Sequence, residues 1–155
     1  MTPPTLTIRP FHPDDQAAAR RLILGGLGEH FGFIDASLNP DLDDIWQNYV
    51  LAGATFAVAE VDGERVGTGA LVAEAAGDLA TGRMVRVSVS AEYRRLGIGR
   101  RLVNYLVEAA RRRGYRQLLV ETNHDWHDAI RLYQACGFTE YGRDEESVYL
   151  RRKLG

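Results

Sequence analysis

The chain has 155 residues, 45% hydrophobic and 26% charged, with a net charge of -2 at pH 7. This size and composition are typical of one globular domain over residues 1–155, and the charge excludes an overall electrostatic nucleic-acid binder. A single cysteine, Cys136, excludes an internal disulfide framework. The sequence has no signal-type segment and no apolar stretch long enough to span a bilayer. We therefore expect a cytoplasmic protein with no membrane partner.

Hydrophobic periodicity predicts eleven elements in the order β-α-α-β-β-β-α-β-α-β-β. They are a strand over residues 5–10, helices over 12–27 and 41–53, a hairpin within 54–74, a strand over 83–90, a helix ending near 113, a strand over 116–122, a helix over 127–136 and two strands within 139–154. Strands and helices alternate only in the middle of the chain, which indicates an α+β fold with a mixed sheet.

Local signals bound the helices of the first half. Asp14 or Asp15 is placed to cap the first helix, and Gly25-Gly26 to end it. The segment Gly28–Pro40 that follows is irregular and rich in aromatic residues. The inner positions predicted for the second helix are Ile45 and Tyr49, with Trp46 and Val50 beside them.

Two β-strand patterns are clear in the middle of the chain. Apolar, β-rich runs flank Asp62-Gly63, which is the strongest short signal for a hairpin. The strand over residues 83–90 alternates and so predicts two faces, one with Val85, Val87 and Val89 and the other with Arg86 and Ser88.

The stretch EYRRLGIGRRL, from Glu92 to Leu102, has two glycines spaced by one residue among four arginines. It stands between a predicted strand and a predicted helix. The first amides of a helix lack intrahelical acceptors, the dipole adds positive charge, and glycine lets a phosphate approach the backbone. The stretch therefore predicts an anion site, with a tight turn and a solvated arginine face as the alternative. It is neither a dinucleotide fingerprint, since Leu102 replaces the third glycine, nor a P-loop.

Two motifs in the second half resemble the GCN5-related N-acetyltransferases, the GNAT family. RRLGIG is similar to the family's Arg/Gln-x-x-Gly-x-Gly/Ala motif, with Arg94, Gly97 and Gly99 in the fixed places. AIRLYQACGF, residues 129–138, is similar to the family's Ala-Ile-x-Leu-Tyr-x-x-x-Gly-Phe helix. The element order is similar over residues 5–154. The resemblance implies a mixed, mostly antiparallel central sheet of about seven strands flanked by about four helices.

The resemblance also implies where acetyl-CoA binds. It would lie in a V where the fourth strand, residues 83–90, diverges from the fifth, residues 117–122. The backbone of Val87 and Val89 would pair with the pantetheine arm, and an N–H near Val89 would polarise the thioester carbonyl. Asn123 is a candidate for a hydrogen bond to the pantetheine, with a turn or helix-cap role as the alternative. Amides and charges for the pyrophosphate would come from Arg94, Arg95, Leu96, Gly97, Ile98, Gly99 and Arg100.

By the same resemblance Tyr133 is the general acid for the leaving thiolate. A tyrosine hydroxyl, with a reference pKa near 10, stays protonated at neutral pH and can donate. The alternative is a core aromatic on an amphipathic helix. Many family members carry a glutamate on the fourth strand as the base, but this sequence has Arg83 near that position. The remaining base candidates are Glu29, His30, Glu74 and Glu121, and the aromatic loop would line the acceptor pocket with Phe31 and Phe33.

Two other features are predicted to be structural. HDWHD, residues 124–128, has histidines three apart, but Asp125 as a helix N-cap and Asp128 in the first turn explain the same residues without a metal. Cys136 precedes Gly137-Phe138, where a small core residue is usual, and nothing in the sequence marks its pKa as lowered. We therefore expect neither a metal nor an acetyl-cysteine intermediate.

The resemblance implies an N-acetyltransferase that moves an acetyl group from acetyl-CoA to a primary amine by direct attack in a ternary complex. A non-catalytic acyl-CoA-binding sensor or scaffold with the same fold is the alternative, and a nucleotide-binding protein is a third. The acceptor is a small-molecule or peptide amine rather than a nucleic acid, and the aromatic loop favours a small or partly apolar one. A homodimer stays open because family members often dimerise.

Overall fold

A computed structural model describes residues 5–32 and 35–155 of the chain. Seven strands form one sheet, with helices on both faces. The helices and strands are β1 (Leu6–Pro10), α1 (Gln16–Phe31), β2 (Thr55–Val61), β3 (Glu64–Ala73), β4 (Thr81–Val89), α2 (Ile98–Arg112), β5 (Gln117–Asn123), α3 (His127–Ala135), β6 (Thr139–Arg143) and β7 (Ser147–Lys153).

The strand order is β1-β2-β3-β4-β5-β7-β6. Every neighbouring pair is antiparallel except β4 and β5, which are parallel. This confirms the predicted α+β fold with its mixed, mostly antiparallel sheet. The predicted hairpin is also confirmed, since Asp62 and Gly63 join β2 to β3 with φ values of 49° and 85°, as a tight two-residue turn requires.

The sheet has a separate hydrophobic core on each face. On one face α2 buries the stripe that its sequence predicts, including Leu102, Val103, Leu106 and Ala110. On the other face α1 and the segment 40–50 pack with Phe56 and Val58 of β2, among other residues. We refer to these as the α2 face and the α1 face.

The first helix begins and ends four residues later than predicted. It runs through Gly25-Gly26 to Phe31 and ends at Gly32, whose φ is 78°. Glycine inside a helix costs only about 1 kcal/mol, which packing overrides. At Gly26 an added Cβ would lie 3.1 Å from the hydroxyl of Ser88, so this glycine lets α1 approach β4. Asp15 occupies the N-cap position of α1, but its side chain does not cap the helix.

The second predicted helix is wrong as a continuous element. A 3-10 turn over Pro40–Asp43 and a π-helical turn over Trp46–Val50 replace it. The side chain of Gln16 donates to the carbonyl of Leu42 (2.8 Å) and accepts from the amide of Ile45 (2.9 Å). Between the two turns, these side-chain hydrogen bonds take the place of the backbone hydrogen bonds of a helix. Ile45 is buried as predicted, whereas Trp46 is 37% exposed.

Candidate active site

Strands β4 and β5 diverge soon after they pair. Their parallel register has three pairs, Thr81 with Gln117, Gly82 with Leu118 and Arg83 with Leu119. Beyond Arg83 no further β4–β5 pair forms within the described chain, which leaves a V-shaped cleft. Cavities of about 170 Å³ and 540 Å³ lie there. Both are lined by Met84, Val85, Arg86, Glu121, Thr122 and Asn123.

A bulge in β4 changes which side chains face the cleft. The β3 register shifts so that Arg86 and Val87 lie opposite the single residue Gly69, and Arg86 has a φ of 56°. As a result Val85 and Arg86 both lie on the α1 face, while Val87 and Val89 pack on the α2 face. The predicted separation of the valines from Arg86 and Ser88 therefore holds for Val87 and Val89 and is wrong for Val85, because a bulge breaks the alternation of side chains.

The backbone of β4 turns one unpaired edge toward the cleft. The amide of Ser90 donates to Val66 on β3 (2.8 Å), so the amide and carbonyl of the preceding Val89 point away from β3. The same edge includes Val87, two residues earlier. Both residues lie beyond the last β4–β5 pair, where an added extended chain would find backbone groups that are not paired with another strand.

The loop between β4 and α2 presents a row of unused amides. Within the described part of the chain, no amide from Arg95 to Arg100 donates to a carbonyl, whereas the amide of Arg101 donates to Gly97 (3.1 Å). Arg95 and Gly97 both have positive φ, at 65° and 82°. Free amides at a helix start are an anion-binding arrangement, and they fit the pyrophosphate of acetyl-CoA.

The two motif glycines have different structural roles. An added Cβ at Gly97 would meet nothing within 4 Å, so this glycine is required by its left-handed backbone and by open space before the amides. An added Cβ at Gly99 would lie 3.1 Å from Leu132 of α3 and 3.8 Å from Val89. Gly99 therefore allows α2, α3 and β4 to approach one another, which the sequence pattern alone does not distinguish.

The motif side chains are less available than their amides. Arg94 donates to Glu29 of α1 (2.7 Å) and to the carbonyl of Val89 (3.2 Å). Arg100 donates to the carbonyl of Ala135 at 3.5 Å. Leu96 is 67% exposed, whereas Ile98 is buried in the core. The exposed Arg95 and Arg101 have side chains with no hydrogen-bond partner within residues 5–32 and 35–155.

Tyr133 lies at the bottom of the cleft. It is buried, contacts Phe138 edge-on and lines the smaller cavity. Its hydroxyl has no hydrogen-bond partner in the described chain, yet no buried side-chain oxygen or nitrogen there is left unpaired, so the hydroxyl is accessible from the cavity. Burial, and next the neighbouring Cys136, raise the pKa of Tyr133 well above its usual 10. The hydroxyl therefore keeps its proton at neutral pH.

The four base candidates are in different surroundings. Glu74 accepts two hydrogen bonds from Arg83, and Glu29 is paired with Arg94. His30 stacks on Trp126 with ring centroids 4.3 Å apart, and its Nε2 lies 3.3 Å from Asp125. Glu121 alone among the four lines both cavities of the cleft. One of its oxygens accepts from Ser147 (3.0 Å), and the other lies 3.7 Å from Arg83.

The end of β5 opens onto the same cleft, as predicted for Asn123. This residue lines both cavities, and its carbonyl accepts from the amide of Trp126. The prediction that Asp125 is the N-cap of α3 is wrong, because Trp126 occupies that position. Asp128 lies in the first turn of α3, as predicted. Asp125 contacts His30 instead.

Of the aromatic loop, Phe31 ends α1 as a 47% exposed side chain. Phe33 lies outside the described residues.

Cys136 is buried, and this burial raises the pKa of its thiol, against the opposing effect of Arg100 and Arg152. A raised thiol pKa disfavours the thiolate that an acetyl-cysteine intermediate would need. The described chain has no group of three His, Cys, Asp or Glu side chains arranged for a metal.

Sequence patterns missed one charged network in the cleft. Arg86 donates from Nε and Nη2 to the two carboxylate oxygens of Asp41 (3.1 and 2.7 Å), and Tyr49 donates to the same carboxylate (2.5 Å). The only sequence signal was an arginine within the apolar run MVRVSV, and its partner is 45 residues away. The Arg86–Asp41 ion pair depends on the bulge, and hydrophobic periodicity cannot predict it.

None of the helices in the described residues combines the length and apolarity needed to cross a bilayer.

The family model for the acetyltransferase (GNAT) family matches residues 27–138. N-acetyltransferase family 8 member 2 of Rattus norvegicus is 35% identical over 121 residues, which are 77% of this chain and 54% of the relative. The chain thus spans about half the length of such relatives.

Solved structures share the fold over nearly the whole chain. A GNAT-family acetyltransferase from Staphylococcus aureus Mu50 superposes with a TM-score of 0.87 at 22% identity, covering 97% of this chain and all of the other. The protein yncA of Salmonella typhimurium, solved with its cofactor acetyl-CoA, has a TM-score of 0.81 at 21% identity, covering 97% of this chain and 95% of the other. At these identities the likeness establishes the fold, and together with the family match it means that the chain belongs to the acetyltransferase (GNAT) family.

Proposed function

We propose that the protein is an N-acetyltransferase that moves an acetyl group from acetyl-CoA to a primary amine on a small molecule or peptide. One observation carries the proposal. The accessible, unpaired hydroxyl of Tyr133 lies in the cleft that opens where β4 leaves β5, next to a free strand edge and a helix start with unused amides. Membership of the acetyltransferase family and an acetyl-CoA-bound structural neighbour support the same function.

Binding of acetyl-CoA would use mainly backbone groups of this chain. Amides from Arg95 to Arg100 would hold the pyrophosphate, assisted by the charges of Arg94, Arg95 and Arg100. The edge of β4 at Val87 and Val89 that is not paired with another strand would pair with the pantetheine. The side chain of Asn123, at the end of β5, would hydrogen-bond to the pantetheine from the other side of the cleft. Because Arg94 is paired with Glu29 in this structure, the charge of Arg94 becomes available only when that ion pair opens.

Bound acetyl-CoA supplies an acetyl group activated as a thioester. The amide of Val89 points into the cleft and would stabilise the negative charge that develops on the carbonyl oxygen. The attacking amine must be neutral, and Glu121 is the base candidate whose side chain lines both cavities. As the carbon–nitrogen bond forms and the carbon–sulfur bond breaks, Tyr133 would donate to the leaving thiolate while Glu121 accepts the proton of the amine.

The first experiment measures thermal shifts of the purified protein with acetyl-CoA, CoA, ATP and NAD. A ligand present at a hundredfold its dissociation constant stabilises the folded state by about 2.7 kcal/mol, enough to detect. Shifts with acetyl-CoA and CoA, followed by release of CoA thiol when an amine is added, are the expected results. Binding without thiol release would instead indicate a sensor or scaffold, and a shift only with ATP would indicate a nucleotide-binding protein.

A further inference from the structure

The bulge in β4 places Arg86 on the same face of the sheet as its neighbour Val85, which a regular strand would not do. Arg86 adopts a left-handed conformation, with a φ of 56°, that is uncommon outside glycine. The buried hydroxyl of Thr68 donates to the carbonyl of Arg86 (2.8 Å) and holds this conformation. Its guanidinium consequently enters the cleft on the α1 face and lines both cavities. Strained residues held in this way concentrate at functional sites.

One edge of the Arg86 guanidinium is fixed by the protein. Nε and Nη2 donate to the two oxygens of Asp41, which also accepts from Tyr49. The side chain of Arg86 is 20% exposed and that of Asp41 is 32% exposed, so the pair is partly shielded from solvent. A bidentate, partly buried pair of this kind holds the plane of the guanidinium in one orientation.

The other edge of the same guanidinium is free. Within residues 5–32 and 35–155, no group accepts a hydrogen bond from Nη1 of Arg86, and no buried side-chain nitrogen is left unpaired, so Nη1 is accessible. Arg83, three residues earlier on β4, differs from Arg86 in this respect. Nε and Nη2 of Arg83 are held by Glu74, and its Nη1 lies 3.7 Å from Glu121. Arg83 therefore has carboxylates on both edges, and Arg86 on one.

We propose that Arg86 is a specificity residue that binds a carboxylate on the acceptor, so that the preferred acceptor is an amine of the α-amino-acid type. The proposal rests on the proposed acetyl transfer and goes beyond it by naming the acceptor class. The free Nη1–Nη2 edge of a guanidinium matches the planar fork of a carboxylate, which a lysine in the same place would not.

The opposite wall of the cleft supplies the complementary charge. Glu121 lies on β5, across the divergence from Arg86 on β4, and lines the same two cavities. A carboxylate at Arg86 and an amine at Glu121 would orient an amino acid across the cleft. The larger cavity, of about 540 Å³, has the size of a small-molecule site.

The test uses matched acceptors and the intact chain. Each of a set of free amino acids is compared with its amide and its decarboxylated amine, with thiol release as the readout. We expect the best amino acids to have a kcat/KM about tenfold to a hundredfold above both analogues, the range that a charged hydrogen-bonded pair provides. Equal or better use of the carboxylate-free analogues would overturn the proposal.

Two variants separate recognition from folding. Arg86→Gln should raise KM for the amino acids and remove their advantage, while Arg83→Gln should alter acids and analogues in the same proportion. Melting curves and CoA binding check that each variant folds. If Arg86→Gln lowers all three members of a series equally, Arg86 has only a structural role. If that variant does not fold, the series on the unaltered chain decides alone.

A binding measurement distinguishes failure of this proposal from failure of the proposed function. N-acetyl amino acids and N-acetyl amines are titrated by calorimetry into the CoA-saturated protein. We expect binding of the acids only, and its loss in Arg86→Gln. Absence of CoA binding itself would refute the proposed function. CoA binding without any preference for the acid would refute the role of Arg86 alone.

Discussion

The two faces of the sheet build their halves of the cleft in different ways. On the α2 face, the features are local: a loop with free amides, two glycines and a tyrosine on one helix. On the α1 face the cleft is built by a charged contact between distant segments, Asp41 with Arg86, and a second such contact, Asp15 with Arg65, lies outside the cleft. The α2 face thus offers backbone chemistry suited to a constant ligand, and the α1 face offers side chains that can vary with the acceptor.

Among the substitutions that test this comparison, loss of the Tyr133 hydroxyl is expected to have the largest effect, and the effect is on turnover. Tyr133→Phe should lower kcat about a hundredfold or more, because the leaving thiolate loses its proton donor. Acetyl-CoA binding should stay unchanged, since the ring and its contact with Phe138 remain. Steady-state kinetics and a thermal shift with CoA measure the two quantities.

Tyr105→Phe is the matched control, because Tyr105 lines a different cavity near β1 and β2. Unchanged turnover in Tyr133→Phe would mean that Tyr133 is a core aromatic and that the cleft has another acid. The pH–rate profile adds a second readout. Because the pKa of Tyr133 lies above its usual 10, no falling limb from this group should occur below that pH.

The α1 face should depend more on charge for its stability. Asp15 is fully buried, and its carboxylate accepts from Arg9, from Arg65 and from the amide of His12. Asp15→Asn should lower the free energy of unfolding by about 3 kcal/mol, because Arg65 loses its carboxylate partner and Arg9 keeps only Glu60. Urea unfolding measures the change, and the exposed Asp14→Asn, within about 0.5 kcal/mol, is the control. A small effect at Asp15 would mean that packing alone holds this face.

The loop before α2 should tolerate no negative side chain. Gly97→Glu should weaken CoA binding about tenfold or more, since a carboxylate would stand before the free amides, a change of about 1.4 kcal/mol. Gly77→Glu is the control, because Gly77 also has a positive φ, of 80°, and open space around it, but lies in the loop between β3 and β4. Equal CoA affinity of the two variants would place the pyrophosphate elsewhere.

The sequence predicted the α2 face well because its signals are local. The periodicity of α2 and the turn chemistry of Asp62-Gly63 act over a few residues, and both are confirmed. The position of Tyr133 beside the cleft also agrees with the motif, while its role stays a prediction. Homodimerisation, a cytoplasmic location and the absence of a metal likewise stay predictions.

The α1 face was predicted less well, because its structure depends on contacts across long sequence separations. The bonds of Gln16 to Leu42 and Ile45 replaced a predicted helix, and a bulge put Val85 on the same face as Arg86, although the predicted alternation had separated them. Periodicity assumes regular elements, so it fails where a side chain satisfies the backbone of another segment. Arg86 and Asp41 were missed for this reason.

The smallest predicted effect concerns the hydroxyl of Tyr49, which donates to Asp41. Tyr49→Phe should lower the free energy of unfolding by about 1 kcal/mol at pH 7, the usual value of one hydrogen bond. Burial raises the pKa of Asp41, but the hydrogen bonds from Arg86 and Tyr49 outweigh it and hold that pKa below 3.8. A lowered pKa adds stability that is complete above the unfolded value, about 3.9, and is lost as the pH falls through the folded value. The difference between the unaltered chain and Tyr49→Phe should therefore be constant from pH 5 to 7 and shrink below about pH 4. Urea unfolding across this range measures it, and a difference that persists undiminished at low pH would mean that Tyr49 stabilises the α1 face by packing rather than through the Asp41 carboxylate.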